Sequence, residues 1–427
     1  MRLTRSRRLA VAAALALVLV AAGVAVVATR EPEPARPPVL RSVELEAEDF
    51  LDSIGVVGHF QYADTAYGRA TEAVARLREL GVRHLRDGMP APGQPLAAGL
   101  RAVRATGIGA TLVSPEVRRD PVVGVADSVR IVGARGIVAF EGPNELDDSG
   151  DPNWAAALAA HMPALAAAVR DRATDAALIG PSFVDPSSSR SLLPRDLPGQ
   201  LNGHPYPGGG PPEGALGAEL RRLPAGALRR GVVFTETGYH NALAATDGQP
   251  PASETAAATY LPRLLLTAFG AGVKRTFVYE LLDEKPDPSL GDAEQHFGLL
   301  RNDLSPKPAF TALQRLIAVV RTSPGTGRGR LRWELRPGGP GDVRRLTLVR
   351  RDGSRVLALW RPESIWDERA RRPRDLPPLP VELRFGRDAR EVAVWRPSLS
   401  ERPVLRRAAA RRLSLYLGGD LVLVSLR

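Results

Sequence analysis

"GIVAFEGPNELDDSG", Gly136 to Gly150, begins as an apolar, partly β-branched stretch and ends in Glu141, Asn144 and Glu145, with Asp147 and Asp148 just beyond. A buried strand that delivers a carboxylate to its carboxyl end invites chemistry, because a charge there must be paired, solvated or used. A second stretch, "RRGVVFTETGYH", Arg229 to His240, repeats the pattern and ends its apolar run in Glu236. If both runs belong to one parallel sheet, their acids meet at the same edge.

Working outward, apolar runs of strand length recur at Ser53–Gly58, Val82–Asp87, Gly109–Val113, Ile137–Glu141, Ala176–Pro181, Gln200–His204, Val232–Glu236 and Arg275–Glu280. Between most of them lie helical patterns such as "TEAVARLREL" (Thr71–Leu80) and "WAAALAAHMPALAAAVRDR" (Trp154–Arg172), with apolar residues three and four apart. Eight such units fit the size of a (β/α)8 barrel, about 250 residues with modest insertions. The fifth unit is the weakest, because "SFVDPSSSRSLLPRDLPGQL" is rich in Pro and Ser. A doubly wound open sheet is the structural alternative. It loses ground because no G-x-G-x-x-G follows the first strand, and "GGGPP" (Gly208–Pro212) follows the wrong element for a phosphate loop.

The texture changes near Thr322–Arg330. Short alternating runs follow, "RRLTLVRR", "RVLALWRP", "PVELRFG", "REVAVWRP" and "RLSLYLGGDLVLVSLR", broken by Gly and Pro. The predicted architecture is therefore α/β: a (β/α)8 TIM barrel over 51–321, then a small C-terminal β-sandwich over 328–427. Residues 31–50 read as a Pro-rich linker and 1–30 as a signal peptide or membrane anchor.

That first segment has a basic start, "MRLTRSRR", and an unbroken apolar run from Leu9 to Ala28. The run suffices to span a bilayer, and "VVA" (Val26–Ala28) offers a cleavage site, so cleaved signal and retained anchor both stay open. By the positive-inside rule everything after it is extracytoplasmic: secreted, or held at the outer face of the plasma membrane through residues 9–28. The absence of cysteine excludes disulfides, thiol chemistry and a lipoprotein anchor.

The net charge of +11 is unevenly distributed, with 24 arginines against 12 acids in 328–427 and 29 basic against 35 acidic residues in 31–327. The tail arginines are scattered among strand-like runs, so no nucleic acid is expected as a partner. Only three lysines occur, and the abundance of Ala, Gly, Pro and Arg looks like a coding bias rather than a binding signal.

In a barrel the fourth strand, Ile137–Glu141, and the seventh, ending in Glu236, open on one face, and two glutamates would look at each other across the pocket. Two facing carboxylates suit glycosidic bond cleavage, one protonating the leaving oxygen while the other attacks the sugar or activates water. Here the chain resembles clan A of the glycoside hydrolases, and in particular its family 39, family 5 and family 30 enzymes. These are (β/α)8 barrels whose fourth strand ends in Asn-Glu, the acid/base, and whose seventh ends in the nucleophilic Glu. Asn144–Glu145 and Glu236 match those positions. Arg86 resembles the arginine supporting the nucleophile, and "HPY" (His204–Tyr206) the His-x-Tyr after strand six. "HFGLLRNDLSPKPAFTAL" (His296–Leu313) resembles the end of several clan barrels. The resemblance implies a retaining glycosidase in which Glu145 is acid/base, Glu236 is nucleophile and Asn144 holds the sugar 2-hydroxyl. Two departures leave the family and the sugar open: "GPNELD" lacks the frequent Trp before and Pro after Asn-Glu, and strand eight offers Tyr279 in place of tryptophan.

Arg86, His204, Tyr206, Tyr279 and His59 complete the candidate substrate-binding set, with Tyr62 and Asp64 near the first strand end. Glu141 reads as a positioning acid, and Glu280 as a strand-end acid that is at best a binding residue. Asp147, Asp148 and Asp151 lack the calcium-loop spacing and read as a solvated loop. No H-E-x-x-H or G-x-S-x-G occurs, so neither a metal, a cofactor nor a serine triad is expected. The expected substrate is an oligo- or polysaccharide of the envelope or exterior, the expected state a monomer, and the expected carboxylate separation about 5–5.5 Å. A transglycosylase and a non-catalytic carbohydrate-binding or envelope-organising protein are the alternatives, since fold does not fix activity.

Overall fold

The computed structural model describes residues 43–426 apart from Glu116, Arg118, 185–187, 189–196, 323–331 and Pro340, and apart from the side chains of Arg387 and Asp388. The hydrophobic segment 9–28, the linker up to residue 42 and most of the stretch after the fifth strand lie outside the described residues. Among those described, no helix is long and apolar enough to cross a membrane.

Strand β1 (Glu44–Glu46) and helix α1 (Ala47–Asp52) come first, starting inside the stretch read as linker and crossing its expected end at residue 50. Eight parallel strands follow, each overlapping one of the predicted runs: β2 (Ile54–Val57), β3 (His84–Gly88), β4 (Gly109–Val113), β5 (Ile137–Glu141), β6 (Ala177–Ile179), β7 (Leu201–Gly203), β8 (Val232–Thr237) and β9 (Arg275–Val278). They pair in chain order from β2 to β6 and from β7 to β9, and β9 returns to β2. The remaining join, β6 to β7, is a single bridge between Ile179 and Gln200, fixed by Gly180 N–H to Gln200 O at 2.7 Å and Gln200 N–H to Leu178 O at 2.8 Å. The barrel is thus nearly closed.

Val57, Ala139, Ile179, Val233 and Phe277, one from each of five strands, form a separate core inside it. Gly55 is required there, since a Cβ at that position would come within 2.3 Å of the Phe277 ring. Alternation along each strand sends the other side chains outward against the helices α2 (Ala70–Leu80), α3 (Pro95–Arg104), α4 (Pro121–Val132), α5 (Trp154–Arg172), α6 (Pro212–Arg222), α7 (Ala227–Arg230), α8 (Glu254–Gly270) and α9 (Pro308–Arg321). Local chemistry sets the helix ends. In α2, Ala73, Val74, Leu77 and Leu80 make the buried stripe and Gly81, at φ 84°, ends the helix in the left-handed conformation. In α4, Asp120 accepts the Val122 N–H and Pro121 takes the first turn, where no N–H is needed.

The C-terminal region is one continuous, mostly antiparallel sheet rather than the two facing sheets of a sandwich. Its strands are β10 (Trp333–Pro337), β11 (Arg344–Val349), β12 (Arg355–Trp360), β15 (Leu379–Trp395), β16 (Leu405–Leu417) and β17 (Val422–Leu426), with β1 added in parallel at the edge beside β11. The runs "PVELRFG" and "REVAVWRP" are both parts of β15, which pairs with β10 through its first half and with β17 through its second. A register shift between Arg384 and Ala389 bends it where a turn was expected. Leu335, Leu383, Phe385, Val392 and Val424, from both halves, then share one apolar cluster. The other face, including Leu346, Leu348, Val356, Ala358 and Leu423, joins the core of the barrel side. A short hairpin, β13 (Trp366–Asp367) with β14 (Arg372–Pro373), reaches the barrel loops: Trp366 Nε1 donates to Pro251 O at 3.0 Å, and Arg371 Nη2 to Ala245 O at 2.6 Å.

Candidate active site

The carboxyl ends of the barrel strands collect an unusual density of buried polar groups. Along β5, Ala139 faces the barrel interior, so period-two alternation points Glu141 the same way. Along β8, Val233 and Thr235 share the inward phase, which would send Glu236 outward against the helices. A register irregularity between Phe234 and Thr237 re-aims it into the mouth. Gly238 just beyond is needed for the close approach of the neighbouring chain, since a Cβ there would lie 2.3 Å from Tyr279 O.

Arg86, at the end of β3 and 3% exposed, is the hub. Its Nε donates to Glu141 Oε2 at 2.7 Å and Nη2 to Glu141 Oε1 at 2.8 Å; Nη1 donates to Glu236 Oε1 at 2.6 Å and Nη2 to Asn144 Oδ1 at 2.7 Å. Glu141, fully buried, also accepts from Asn202 Nδ2 at 3.1 Å and Thr235 Oγ1 at 3.0 Å. It is a positioning acid, closed off by its partners. Glu236 differs: its second oxygen accepts the Tyr206 hydroxyl at 2.9 Å, and its side chain keeps 11% exposure to the mouth.

Glu145 stands opposite. His204 Nδ1 lies 2.6 Å from Glu145 Oε1 and 3.6 Å from Glu236 Oε2, and one oxygen of each glutamate and that nitrogen all fall within 4.8 Å of one another. His204 Nε2 meets Thr235 Oγ1 at 2.9 Å. The Glu145 backbone sits at φ 45°, ψ 43°, a left-handed conformation that costs a non-glycine residue of order 1–3 kcal/mol and persists where surroundings impose it. Here Ser182 Oγ holds its N–H at 3.2 Å and itself donates to Asn144 Oδ1 at 3.3 Å.

These contacts set the charges. Burial alone would push Glu236 up, yet the positive charges of His204 and Arg86 and the hydrogen bonds from Tyr206 and Arg86 outweigh it and bring the carboxyl down to about 2. His204 moves up from its usual value: burial opposes the shift, but Glu236 and the bond to Glu145 prevail. Glu236 is therefore a fixed anion, held by the Arg86 guanidinium beside an upward-shifted His204, a few ångströms from a second carboxyl group.

On the β2 and β9 side, His59 stacks on Tyr62 with ring centroids 5.2 Å apart and meets the edge of Tyr279 at 5.6 Å. Tyr279 and Tyr206 both pack on Phe297, at 5.2 Å and 5.7 Å, forming an aromatic wall beside Glu236 and Glu145. The Tyr279 hydroxyl donates to Glu294 Oε2 at 3.2 Å. Glu280, two residues past the end of β9, is fully buried and accepts the Tyr67 hydroxyl at 2.8 Å.

No family model matches the sequence, and neither does any curated protein. Solved structures do match. A family 39 glycoside hydrolase from the gut symbiont Bacteroides cellulosilyticus WH2 superposes at TM-score 0.59 and 15% identity, covering 89% of this chain and 82% of that one. A family 39 enzyme from Xanthomonas axonopodis pv. citri gives 0.57 and 16%, over 94% and 99%. A monomeric β-xylosidase from Caulobacter crescentus CB15 gives 0.55 and 15%, over 92% and 98%. The fold is that of clan A glycoside hydrolases. The match spans nearly the whole of these chains, so the barrel and the C-terminal sheet are shared together.

Of the residues proposed from sequence, Glu145, Glu236, Asn144, Arg86, His204 and Tyr206 form one connected network, Tyr279 and His59 line the adjoining wall with Tyr62 stacked on His59, and Asp64 is exposed and faces Lys285 at 3.6 Å. Two groups of three residues bring metal-capable atoms within 4.8 Å of each other among the described residues, Glu145–His204–Glu236 and His59–Glu280–Glu284, and the acidic run Asp147–Asp151 is in neither. Sequence reasoning missed Thr235, Asn202, Ser182, Phe297 and Glu294. Asn202 carried a usable signal, lying two residues before His204 on the same strand face. Thr235 carried none, because inward Thr235 and inward Glu236 require the irregularity in β8.

Proposed function

We propose that this protein is a retaining β-glycosidase acting on an oligo- or polysaccharide. What carries the reading is the pairing of Glu236, ionised and bound by Arg86 and Tyr206, with Glu145 inside 4.8 Å at the opposite side of the mouth. That closeness favours retention, whose carboxyl groups stand about 5–5.5 Å apart, over inversion at about 6.5–9.5 Å.

In the first step Glu236 attacks the anomeric carbon while Glu145 gives its proton to the departing glycosidic oxygen, leaving a glycosyl-enzyme ester. In the second, Glu145 takes a proton from water, the resulting hydroxide attacks the same carbon, and Glu236 departs as carboxylate. Arg86 keeps Glu236 anionic without itself leaving its bonds to Glu141. His204, hydrogen-bonded to Glu145, supplies the partner with which that carboxyl shares its proton between steps. Asn144 engages Arg86 and Ser182 through its oxygen only, which leaves its amide N–H groups for a sugar hydroxyl.

The apolar run 9–28 behind a basic start supports an extracytoplasmic location, with the substrate in the envelope or outside it. Incubation with activated 2-fluoro glycosides followed by mass spectrometry tests the mechanism: a label on Glu236 is expected. A label on another acid, or none with any sugar, overturns it. Adding a competing alcohol acceptor separates hydrolysis from transfer, because both share the ester.

A further inference from the structure

Where the second half of α9 faces the C-terminal sheet, the two surfaces stand apart. On the helix, Arg315, Ala318, Val319 and Thr322 follow at the three- and four-residue spacing of one face. On the sheet, Glu391, Ala393 and Trp395 alternate to one face of β15, and the strand register sets Ala393 between Arg406 of β16 and Ser425 of β17. Alanines at the middle of both faces leave a cavity of about 470 Å³, closed on a third side by Pro397, Ser400 and Glu401. That volume lies in the usual range for small-ligand pockets, about 300–1,000 Å³. Its walls are tied down: Arg315 Nη1 donates to Pro397 O at 3.2 Å, and Arg396 Nη1 to both carboxylate oxygens of Asp420 at 2.7 Å.

This cavity is separate from the mouth. Lys307, just ahead of α9, donates to Asp283 beyond the carboxyl end of β9, whereas Arg321, the last residue of α9, donates to Gly81 O just ahead of β3. The helix therefore runs from the mouth to the amino ends of the strands, and the cavity lies along its far half.

The lining indicates the occupant. Trp395 is partly buried with its Nε1 shut away from solvent, so what the indole turns to the cavity is ring carbon. Around this apolar base stand the donors Arg315 and Arg406, the acceptors Glu391 and Glu401, and the Ser425 hydroxyl, which can do both. The charges nearly cancel. Arg406 faces Glu391 at 3.4 Å, and the third guanidinium of the lining, Arg350, spends its nitrogens on the Val319 and Val320 carbonyls at the negative end of α9 and on Ser354. An anion would meet two glutamates, and a wholly apolar ligand would strip the polar rim of water without replacing its hydrogen bonds. A pyranose satisfies both halves of the lining, with a C–H face to lay on the indole and edge hydroxyls that donate and accept.

We propose that this cavity is a second carbohydrate-binding site, which holds a neutral stretch of glycan at the far end of the barrel from Glu145 and Glu236. The inference goes beyond the glycosidase reading and does not depend on it, since it concerns where sugar is held and not whether a bond is cut. Combined with that reading, the site tethers a long chain to the protein while the mouth releases product.

The test titrates the full chain carrying Glu236→Gln, which keeps the sugars from being turned over, by calorimetry with xylohexaose, cellohexaose and laminarihexaose, and with hexagalacturonate as an anionic counterpart. At least one neutral hexasaccharide should bind in a way that Trp395→Ala, added to the same chain, weakens by about tenfold or more. Arg406→Gln, at an exposed strand position, should weaken the same binding by about threefold or more. About 0.5 M salt should leave it in place, because no net charge drives it. The proposal is overturned if no neutral hexasaccharide binds, or if those that bind keep full affinity in both variants, since all sugar is then held at the mouth. It is overturned equally if hexagalacturonate binds more tightly than the neutral sugars and either Arg406→Gln or salt abolishes that preference, which makes the cavity an anion site. Should Trp395→Ala fail to fold, Arg406→Gln carries the test. Labelling of the unmutated chain keeps the two readings apart. A 2-fluoro adduct on Glu236 without binding that depends on Trp395 or Arg406 sinks this inference and spares the glycosidase; such binding without any adduct does the reverse.

Discussion

Two buried arginines in this molecule resemble each other in almost every respect except what they leave open. Arg86 in the barrel mouth and Arg263 on α8 are both inaccessible, and each grips a glutamate through two nitrogens. Around Arg263 every remaining bond runs to structure: Nη1 reaches the carbonyls of Glu363 and Gly419, Trp360 Nε1 donates to Glu213 Oε1 at 2.8 Å, and the Tyr260 ring lies 5.1 Å from the guanidinium carbon. This network ties α6 and α8 to the C-terminal sheet. Around Arg86 the bonds run to Glu236 and Asn144, which still face the pocket. Burial and pairing are common to a latch and a catalytic centre; an ionised group held still but left accessible is what the proposed chemistry requires of Glu236.

Breaking each network should therefore fail in a different currency. Glu236→Gln removes the proposed nucleophile while keeping the Tyr206 and Arg86 contacts within reach, so kcat on an aryl β-glycoside should fall by about 10^4-fold or more with little change in the urea midpoint. A variant that unfolds in proportion to its loss of activity would erase the distinction drawn here. Glu213→Gln should do the opposite, leaving Arg263 as an uncompensated buried cation at a cost of about 3–5 kcal/mol in unfolding free energy. The kcat of the folded fraction should stay at the parent value, and a selective loss of kcat with full stability would mean the seam controls the mouth.

The contrast also explains what could be read from sequence. Parallel strands buried on both faces appear as near-continuous apolar runs, so all eight were visible, and an acid that terminates such a run stands out at once, as Glu141 and Glu236 did. The Arg263 latch was invisible because its partners lie 50 and 156 residues away along the chain, and nothing local marks them. Irregular backbone hid the rest. The shift between Phe234 and Thr237 lets two adjacent side chains serve one site, and the shift inside β15 turns two predicted strands, with Gly386 between them, into one. Both are tertiary solutions to curvature that a residue pattern with period two cannot express.

A smaller change sharpens the account of Arg86's side of the comparison. Tyr206→Phe deletes one hydroxyl that donates to the ionised Glu236 and nothing else in the network. A hydrogen bond to a charged group is worth about 1.5–3 kcal/mol, so kcat should drop roughly tenfold to hundredfold, with KM for the aryl glycoside moving less. An effect confined to KM would instead make Tyr206 a sugar contact.

The smallest effect, and the one that best separates a carboxyl in the mouth from one behind it, concerns pH. Asp87 adjoins Arg86 in sequence but turns the other way along β3, accepting only the backbone N–H groups of Phe60 at 3.0 Å and Gly88 at 2.7 Å. Burial, against those two bonds and the Arg86 charge, pushes it up to about 7, whereas Glu236 is held down at about 2. A raised acid binds its proton more tightly when folded, so its favourable contribution is complete below the unfolded value near 3.9 and is lost as pH climbs through about 7. A depressed acid does the reverse: the Glu236 contribution is present above about 4.3 and lost as pH falls toward 2. Asp87 should thus contribute a decline in the urea midpoint from about pH 4 toward 7, beside those of the other buried acids that are shifted up, and Asp87→Asn should make that decline shallower while leaving the acid limb below about pH 4 in place. If Asp87→Asn leaves the decline untouched, the loop after β2 is held by contacts other than this proton, and the electrostatic contrast between the two acids fails.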